Sequence, residues 1–267
     1  MEDLDRVTSS VDHEAEQLGA LAALGIDWDG AVVRQSDRFD RYERAIAHLS
    51  GLGRTYECYC TRREIREAAS APHGLPEGAY PGTCRRLTAA DRRAMQREGR
   101  RPALRLLSDD EVITFVDDVC GEVSGRLDDV VLRRNDGVPA YNLAVVVDDA
   151  AQGVAEVLRG DDLLASTPRQ IMLQRLLGLP TPRYRHVPLV VGPDGVRLAK
   201  RHGAVTLSDL DALGIGPAAV VSMLAVSLAL AAPGERVSVD DLVGRFDIAI
   251  IPRQPWVLPA DLQRSTS

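Results

Sequence analysis

The sequence predicts an α/β fold, and three observations carry the prediction. Helix-like and strand-like periods alternate along most of the 267 residues; a cysteine- and arginine-rich stretch at 53–105 interrupts them; the chain beyond Ser208 turns mainly helical. With 45% hydrophobic residues the chain can bury one large core or two smaller ones, and with 4% aromatics its packing must be mostly aliphatic.

Taken in order, Ser9 or Ser10 caps a helix over residues 11–24, with Leu18, Leu21 and Ala22 on one face and Gly25 as its stop. A second helix covers 39–52, and a short strand then ends in Cys58 and Cys60. Two helical stretches flank a Pro/Gly-bearing loop at 72–82. Residues 112–119, 129–134 and 143–148 read as strands, the last two framing Asn135-Asp136-Gly137, a strong hairpin signal. Ser166-Thr167-Pro168 opens a helix that runs to Leu177, with Ser166 as cap. A strand at 187–191 meets the turn Gly192-Pro193-Asp194-Gly195, and helix returns between Ser208 and Leu230. Pro252, Pro255 and Pro259 around Trp256 predict an extended strap docked by its aromatic ring. No internal repeat or low-complexity linker is present. The expected division is 1–52 and 106–207 as two halves of a core, 53–105 as an insertion, and 208–267 as a helical end.

Charge and hydropathy narrow the function classes. The chain opens on acidic residues, Met1-Glu2-Asp3-Leu4-Asp5, without a secretion pattern. Its longest apolar run, 218–232, is broken by Ser222 and Ser227 and falls short of the roughly 20 residues that span a bilayer. A buried helix and a cytoplasmic protein are expected. The net charge of −7 argues against indiscriminate nucleic-acid binding. Residues 61–105 nevertheless hold 11 Arg and 5 acids, a basic segment that either meets phosphates or forms a solvated helical surface. Of 32 Lys plus Arg, the single lysine is Lys200. Where arginine serves everywhere else, a retained lysine marks a place that needs a compact ammonium.

Three of the four cysteines fall in Cys58-x-Cys60 and Cys84, a spacing that points to metal more than to disulfides in a cytosolic chain. Zinc takes four donors in a tetrahedron, so a fourth must come from the intervening loop, where His73 and Tyr80 are the candidates. On chemistry alone His73 is favoured. Cys120 lies apart and reads as core.

Beyond the turn at Gly192, Val196-Arg197-Leu198-Ala199-Lys200-Arg201 is a cationic loop suited to neutralising a triphosphate. Tyr141 follows the Asn135-Asp136-Gly137 turn, and Arg159-Gly160-Asp161-Asp162 sits at a strand-to-helix junction, where an arginine can hold a carboxylate by two hydrogen bonds. Each feature alone is weak.

Together they are recognisable. Asp129-Val-Val-Leu-Arg-Arg-Asn-Asp-Gly-Val-Pro-Ala-Tyr-Asn-Leu-Ala-Val-Val-Val-Asp-Asp149 and Val157-Leu-Arg-Gly-Asp-Asp-Leu-Leu-Ala-Ser-Thr-Pro-Arg-Gln170 resemble the catalytic domain of class I glutamyl-tRNA synthetases. So do Glu2-Asp-Leu-Asp-Arg6, Gln35-Ser-Asp-Arg-Phe-Asp-Arg-Tyr42, and Arg197-Leu-Ala-Lys-Arg201, a variant of the family's KMSKS loop. Within the family the likeness is greatest to the short paralogues that glutamylate queuosine in tRNA(Asp). Only 67 residues follow Lys200, and Cys58-x-Cys60 with Tyr80-x-x-x-Cys84 matches the short enzymes' zinc pattern, in which the tyrosine is a ligand.

The resemblance implies a Rossmann-like catalytic core with a zinc-bearing insertion, ligase activity and a monomer. It implies ATP with Mg2+ as co-substrate, and L-glutamate activated as its adenylate at the C-terminal edge of parallel strands. The acceptor would be queuosine at the wobble position of tRNA(Asp). Glu2, Tyr141 and Arg159 would bind glutamate, Lys200 would act on ATP as the catalytic cation, and Cys58, Cys60, Tyr80 and Cys84 would hold one structural zinc, which moves the fourth ligand from His73 to Tyr80. Two rivals stand beside it: glutamylation of a tRNA end or another acceptor, and a non-catalytic protein keeping fold and zinc. The family's HIGH-type motif, which sets ATP phosphates on a helix N-terminus, has no counterpart here. Met1 stands where relatives carry Val or Ile, so the expectation is an upstream N-terminus, read from a GUG codon taken as a start, and little activity for the 267-residue form.

Overall fold

The computed structural model describes residues 1–5, 9–69, 80–198 and 206–258. The two larger of three sheets organise them. The first is antiparallel, ordered β1 (Thr55–Cys58), β2 (Ala103–Leu106), β5 (Val131–Arg133), with Cys58 opposite Ala103. The second is mixed, ordered β4 (Gly121–Arg126), β3 (Val112–Asp117), β7 (Arg183–Val187), β6 (Glu156–Gly160). Strands β3 and β6 both run parallel to β7, while β4 closes back on β3 as a hairpin.

Helices α2 (Phe39–Gly51), α5 (Tyr141–Gln152) and α6 (Thr167–Leu177) pack against one another and supply the main core. In α2 the buried Tyr42, Ile46 and Leu49 recur at helical spacing and meet Leu143, Val146 and Leu173. Helix α6 lies against β3 and β4, so closely that a Cβ on Gly125 would come within 2.6 Å of Pro168 Cγ. Helix α1 (Val11–Ala23), capped by Ser10 through the His13 amide, buries no residue. Of the apolar face expected of it, Leu21 and Ala22 are exposed and Leu18 is half-buried. Helices α3 (Arg62–Ala69) and α4 (Ala89–Arg97) belong to the arginine-rich stretch. Beyond it α7 (Leu207–Ala212), α8 (Pro217–Ser227) and α9 (Val239–Val243) form the helical end around Ala225, Leu230 and Val237.

The α/β expectation is borne out, with local corrections. Residues 143–148 are helix, not strand: Asn135-Asp136-Gly137 does turn the chain back on β5, with Arg133 bridged antiparallel to Pro139, but the returning arm ends at once in α5. The three valines favour a strand by propensity, but contacts with α2, α6 and β5 on several sides override it, and Gly153, at φ 69°, supplies the helix stop. Strand β4 was not foreseen, because its Gly-Glu-Val-Ser-Gly-Arg is a half-exposed edge with little apolar signal. Ser166 does not cap α6, since a 3-10 turn, Asp161–Ser166, runs straight into the helix. The strand expected at 187–191 splits into β7 and a short β8 (Val190–Val191), with Pro188 between them. The C-terminal strap docks through its backbone: β9 (Trp256–Val257) pairs parallel to β8 and Leu258 is buried, while the Trp256 ring is only half-buried. Cys120 is likewise half-buried.

Candidate functional site

The C-terminal ends of β6, β7 and β3 bring Arg159, His186 and Asp117 side by side. Arg159 Nε donates to His186 Nε2 at 3.0 Å, and its Nη2 donates to Thr167 Oγ1 at 3.0 Å and Gln170 Oε1 at 2.8 Å. Gln170 in turn donates to Asn142 Oδ1 at 3.1 Å. Two of the three guanidinium nitrogens are thereby anchored on buried partners. Gly160, just after Arg159, packs closely: a Cβ there would stand 2.8 Å from both Asp162 Oδ1 and Leu189 Cδ2, and those side-chain ends would have to move.

Tyr141, the first residue of α5, and Glu2 face the same guanidinium. Burial raises the Tyr141 phenol above its ordinary value, the Glu2 charge adds to this, and Arg159 opposes it. Glu2 keeps solvent exposure, yet desolvation of its carboxyl raises its pKa, against the N-terminal ammonium and Arg159. The structure therefore brings together the three residues expected to bind glutamate. It adds one the sequence reading did not single out. Asp149 on α5 is pushed up to about 6 by burial, with Arg159 pulling it back and Asp148 and Glu2 adding to the rise. Arg159 thus interacts with the carboxyls of Glu2 and Asp149, a cation beside two acids, which could receive a zwitterion with its carboxylate on Arg159 and its ammonium on the acids.

The neighbouring Asp148 has a different task. It is buried and accepts from Tyr42 Oη at 2.7 Å and Gln35 Nε2 at 3.1 Å, with Arg38 Nε at 3.2 Å. Gln35, Arg38 and Tyr42 thus converge on the residue beside Asp149 and fix α5 against α2.

The cysteines form a second cluster. The Sγ atoms of Cys58, Cys60 and Cys84 lie within 4.8 Å of one another, with Cys60 and Cys84 at 3.4 Å. Tyr80 Oη is 3.3 Å from Cys58 Sγ and 3.8 Å from Cys60 Sγ, and accepts from the Cys84 amide at 2.9 Å. A tetrahedral zinc with thiolates at about 2.3 Å would separate its donors by about 3.8 Å, so three thiols and one phenol fit such an ion. Hydrogen bonding from Cys84, helped by Tyr80 and Arg105, outweighs burial and lowers the Cys58 thiol below its ordinary value, while burial pushes Cys60 up. His73 and Lys200 lie outside the described residues. Up to Leu198 the Lys200 loop follows the Gly192–Gly195 turn, and Arg197 pairs with Asp162 at 2.8 Å.

Between the two clusters lies a cavity of about 880 Å³, bounded by Glu2 and Tyr141 on one side and Cys58 and Cys60 on the other. Arg62, Arg100, Arg101, Arg105 and Arg134 line it. Arg105 lies 3.7 Å over the Tyr80 ring and donates to the Asp129 carbonyl at 2.6 Å. The Asp129 carboxylate, fully buried, accepts from Arg85, Ser108 and the Tyr56 hydroxyl, which ties the cysteine cluster to β5.

The chain belongs to the family of class I tRNA synthetases (E and Q), catalytic domain, whose match covers residues 1–257. It is 57% identical over 258 residues to the glutamyl-Q tRNA(Asp) synthetase of Nocardia farcinica, covering 97% of this chain and 81% of that protein. It is 50% identical over 275 residues to the protein of that name from Symbiobacterium thermophilum, covering 98% and 85%. In fold it is similar to the crystal structure of the glutamate-tRNA synthetase of Elizabethkingia anophelis, with a TM-score of 0.78 at 24% identity over 98% of this chain and 61% of that one. The protein is thus a ligase-type enzyme of the synthetase class. Among the described residues no helix is long and apolar enough to cross a membrane.

Proposed function

We propose that this protein activates L-glutamate with ATP and transfers it to queuosine in tRNA(Asp). The observation that carries the reading is the convergence of Glu2, Tyr141, Arg159 and Asp149 beside a cavity walled by arginines. The names of the relatives at 57% and 50% identity support the acceptor.

In this reading Arg159 holds a glutamate carboxylate, Glu2 and Asp149 take its ammonium, and Tyr141 closes the pocket from the start of α5. A glutamate carboxylate oxygen attacks the α-phosphorus of ATP, pyrophosphate leaves, and an acceptor hydroxyl then displaces AMP. Charge stabilisation governs the first step, and Lys200 supplies it from its loop as the sole lysine of the chain. Mg2+ would neutralise the triphosphate. The arginines of the cavity suit an anionic acceptor entering between the two clusters. Zinc on Cys58, Cys60, Tyr80 and Cys84 would be structural, since protein fills all four positions. The insertion then forms one unit, 53–105, between two halves of a core at 1–52 and 106–207, followed by 208–267; we propose a cytoplasmic monomer. Glutamate-dependent ATP–pyrophosphate exchange tests the activation step. Exchange with glutamine or aspartate in place of glutamate would refute it.

A further inference from the structure

Arg159 rests on an imidazole, and that contact constrains a proton. His186 is fully buried, as is Asp117 at 1% exposure. Because His186 Nε2 accepts from Arg159 Nε at 3.0 Å, its ring proton must sit on Nδ1, which faces Asp117 Oδ2 at 2.6 Å. Asp117 Oδ1 is occupied by the amides of Cys120 at 2.8 Å, Val119 at 3.0 Å and His186 itself at 3.2 Å. Asp117 is thus held as an acceptor, and it has only one orientation in which to receive the imidazole.

We propose that His186, oriented by Asp117, is a positioning residue that aims the Arg159 guanidinium at the substrate carboxylate, and that it does so only as the neutral Nδ1–H tautomer. The proposal rests on the reading that Arg159 binds a carboxylate. With Nε and Nη2 committed to buried partners, rotation of the guanidinium is restricted, and the Nη1 edge is the part left to turn toward Tyr141 and Glu2. Protonating His186 would set two N–H groups and two cations face to face across 3.0 Å. The Thr167 hydroxyl also lies 3.3 Å from Nε2, where it can donate to the same lone pair. The other groups around the ring are few. Asp117 and the more distant Asp161 favour the cation, Arg159 opposes it, the Tyr184 ring stacks at 6.1 Å, and the Cys120 thiol contacts the His186 carbonyl. Burial is the largest influence and lowers the imidazole below its ordinary value, so the neutral form holds at neutral pH.

The test uses the 267-residue chain in two measurements. Long-range 1H–15N spectra of its imidazoles, assigned with His186→Gln, should show the neutral Nδ1–H tautomer at neutral pH. They should show titration below the range of an ordinary histidine. An Nε2–H tautomer, or a protonated ring at pH 7, overturns the proposal whatever the function. Calorimetric binding of glutamate then reads the consequence. His186→Phe keeps a ring but no acceptor and should weaken glutamate about ten- to hundredfold, leaving ATP affinity unchanged. His186→Gln, which restores an acceptor, should recover most of the loss. Equal glutamate affinity for wild type, His186→Phe and His186→Gln, with Arg159→Ala impaired, overturns the proposal alone. If Arg159→Ala binds glutamate like wild type, the reading of Arg159 falls; if the 267-residue form binds no glutamate, the spectra alone decide the imidazole.

Discussion

Tyr42 and Asp148, 106 residues apart, meet through a 2.7 Å hydrogen bond inside the core. Asp148 also takes Gln35 and the Arg38 guanidinium, so one carboxylate fixes the start of α2 against α5 and sets Asp149 on the pocket side. Replacing Asp148 by Ala should leave Arg38 buried without its partner. Removing one member of a buried pair costs about 3–5 kcal/mol. Urea unfolding should show the loss, and Tyr42→Phe should cost less, roughly 1–3 kcal/mol for a bond to a charged group. Equal stability of Asp148→Ala and wild type would disprove the hub.

Asp149 predicts a pH dependence. Its folded pKa of about 6 lies above the ordinary 3.8, so its contribution to stability is complete below about pH 4 and is lost as pH rises through 6. Asp149→Asn should therefore stabilise the ligand-free protein at neutral pH and give no gain near pH 4. Allowing for solvent screening of a half-buried group, the gain is on the order of 1–2 kcal/mol. Since the same carboxylate is assigned to the substrate ammonium, the variant should bind glutamate more weakly. A variant more stable at pH 4 than at pH 7, relative to wild type, would contradict the sign.

One zinc per chain is expected on Cys58, Cys60, Tyr80 and Cys84. Metal analysis of protein purified without chelator should find it, and Cys84→Ala should lose it and loosen the insertion, in which Cys84 is buried. Tyr80→Phe should weaken metal retention, and His73→Ala should not. The reverse pattern would return the fourth ligand to His73.

Much of this was legible in the residues. The Cys58-x-Cys60 spacing, the Arg159-Gly160 junction and the helix over 39–52 all have direct counterparts in the fold. The helix α5 was misread because Val145, Val146 and Val147 carry strand propensity, and only packing from three sides makes them helical. The Asp117–His186 pair is unreadable for another reason. A lone aspartate in Phe115-Val-Asp117 or a histidine in Tyr184-Arg-His186 gains its meaning from two strands placed side by side, which no local pattern encodes.

Lys200 is assigned to the ATP phosphates from the chain's composition and its family likeness. Its replacement by Ala, in the gene product expressed with any in-frame coding sequence upstream of codon 1, should slow pyrophosphate exchange roughly 10²–10³-fold. Lys200→Arg should be impaired as well, because a planar fork does not replace a compact ammonium among phosphate oxygens. Near-normal exchange in Lys200→Arg would show that charge alone matters there.

The acceptor decides the account. The same gene product should be given labelled glutamate, ATP, and tRNA(Asp) either carrying or lacking queuosine, and the labelled tRNA should be cut with nuclease. Label confined to the anticodon fragment of queuosine-bearing tRNA(Asp) is the predicted result; label on the 3′-terminal adenosine, or equal label on tRNA without queuosine, would contradict it.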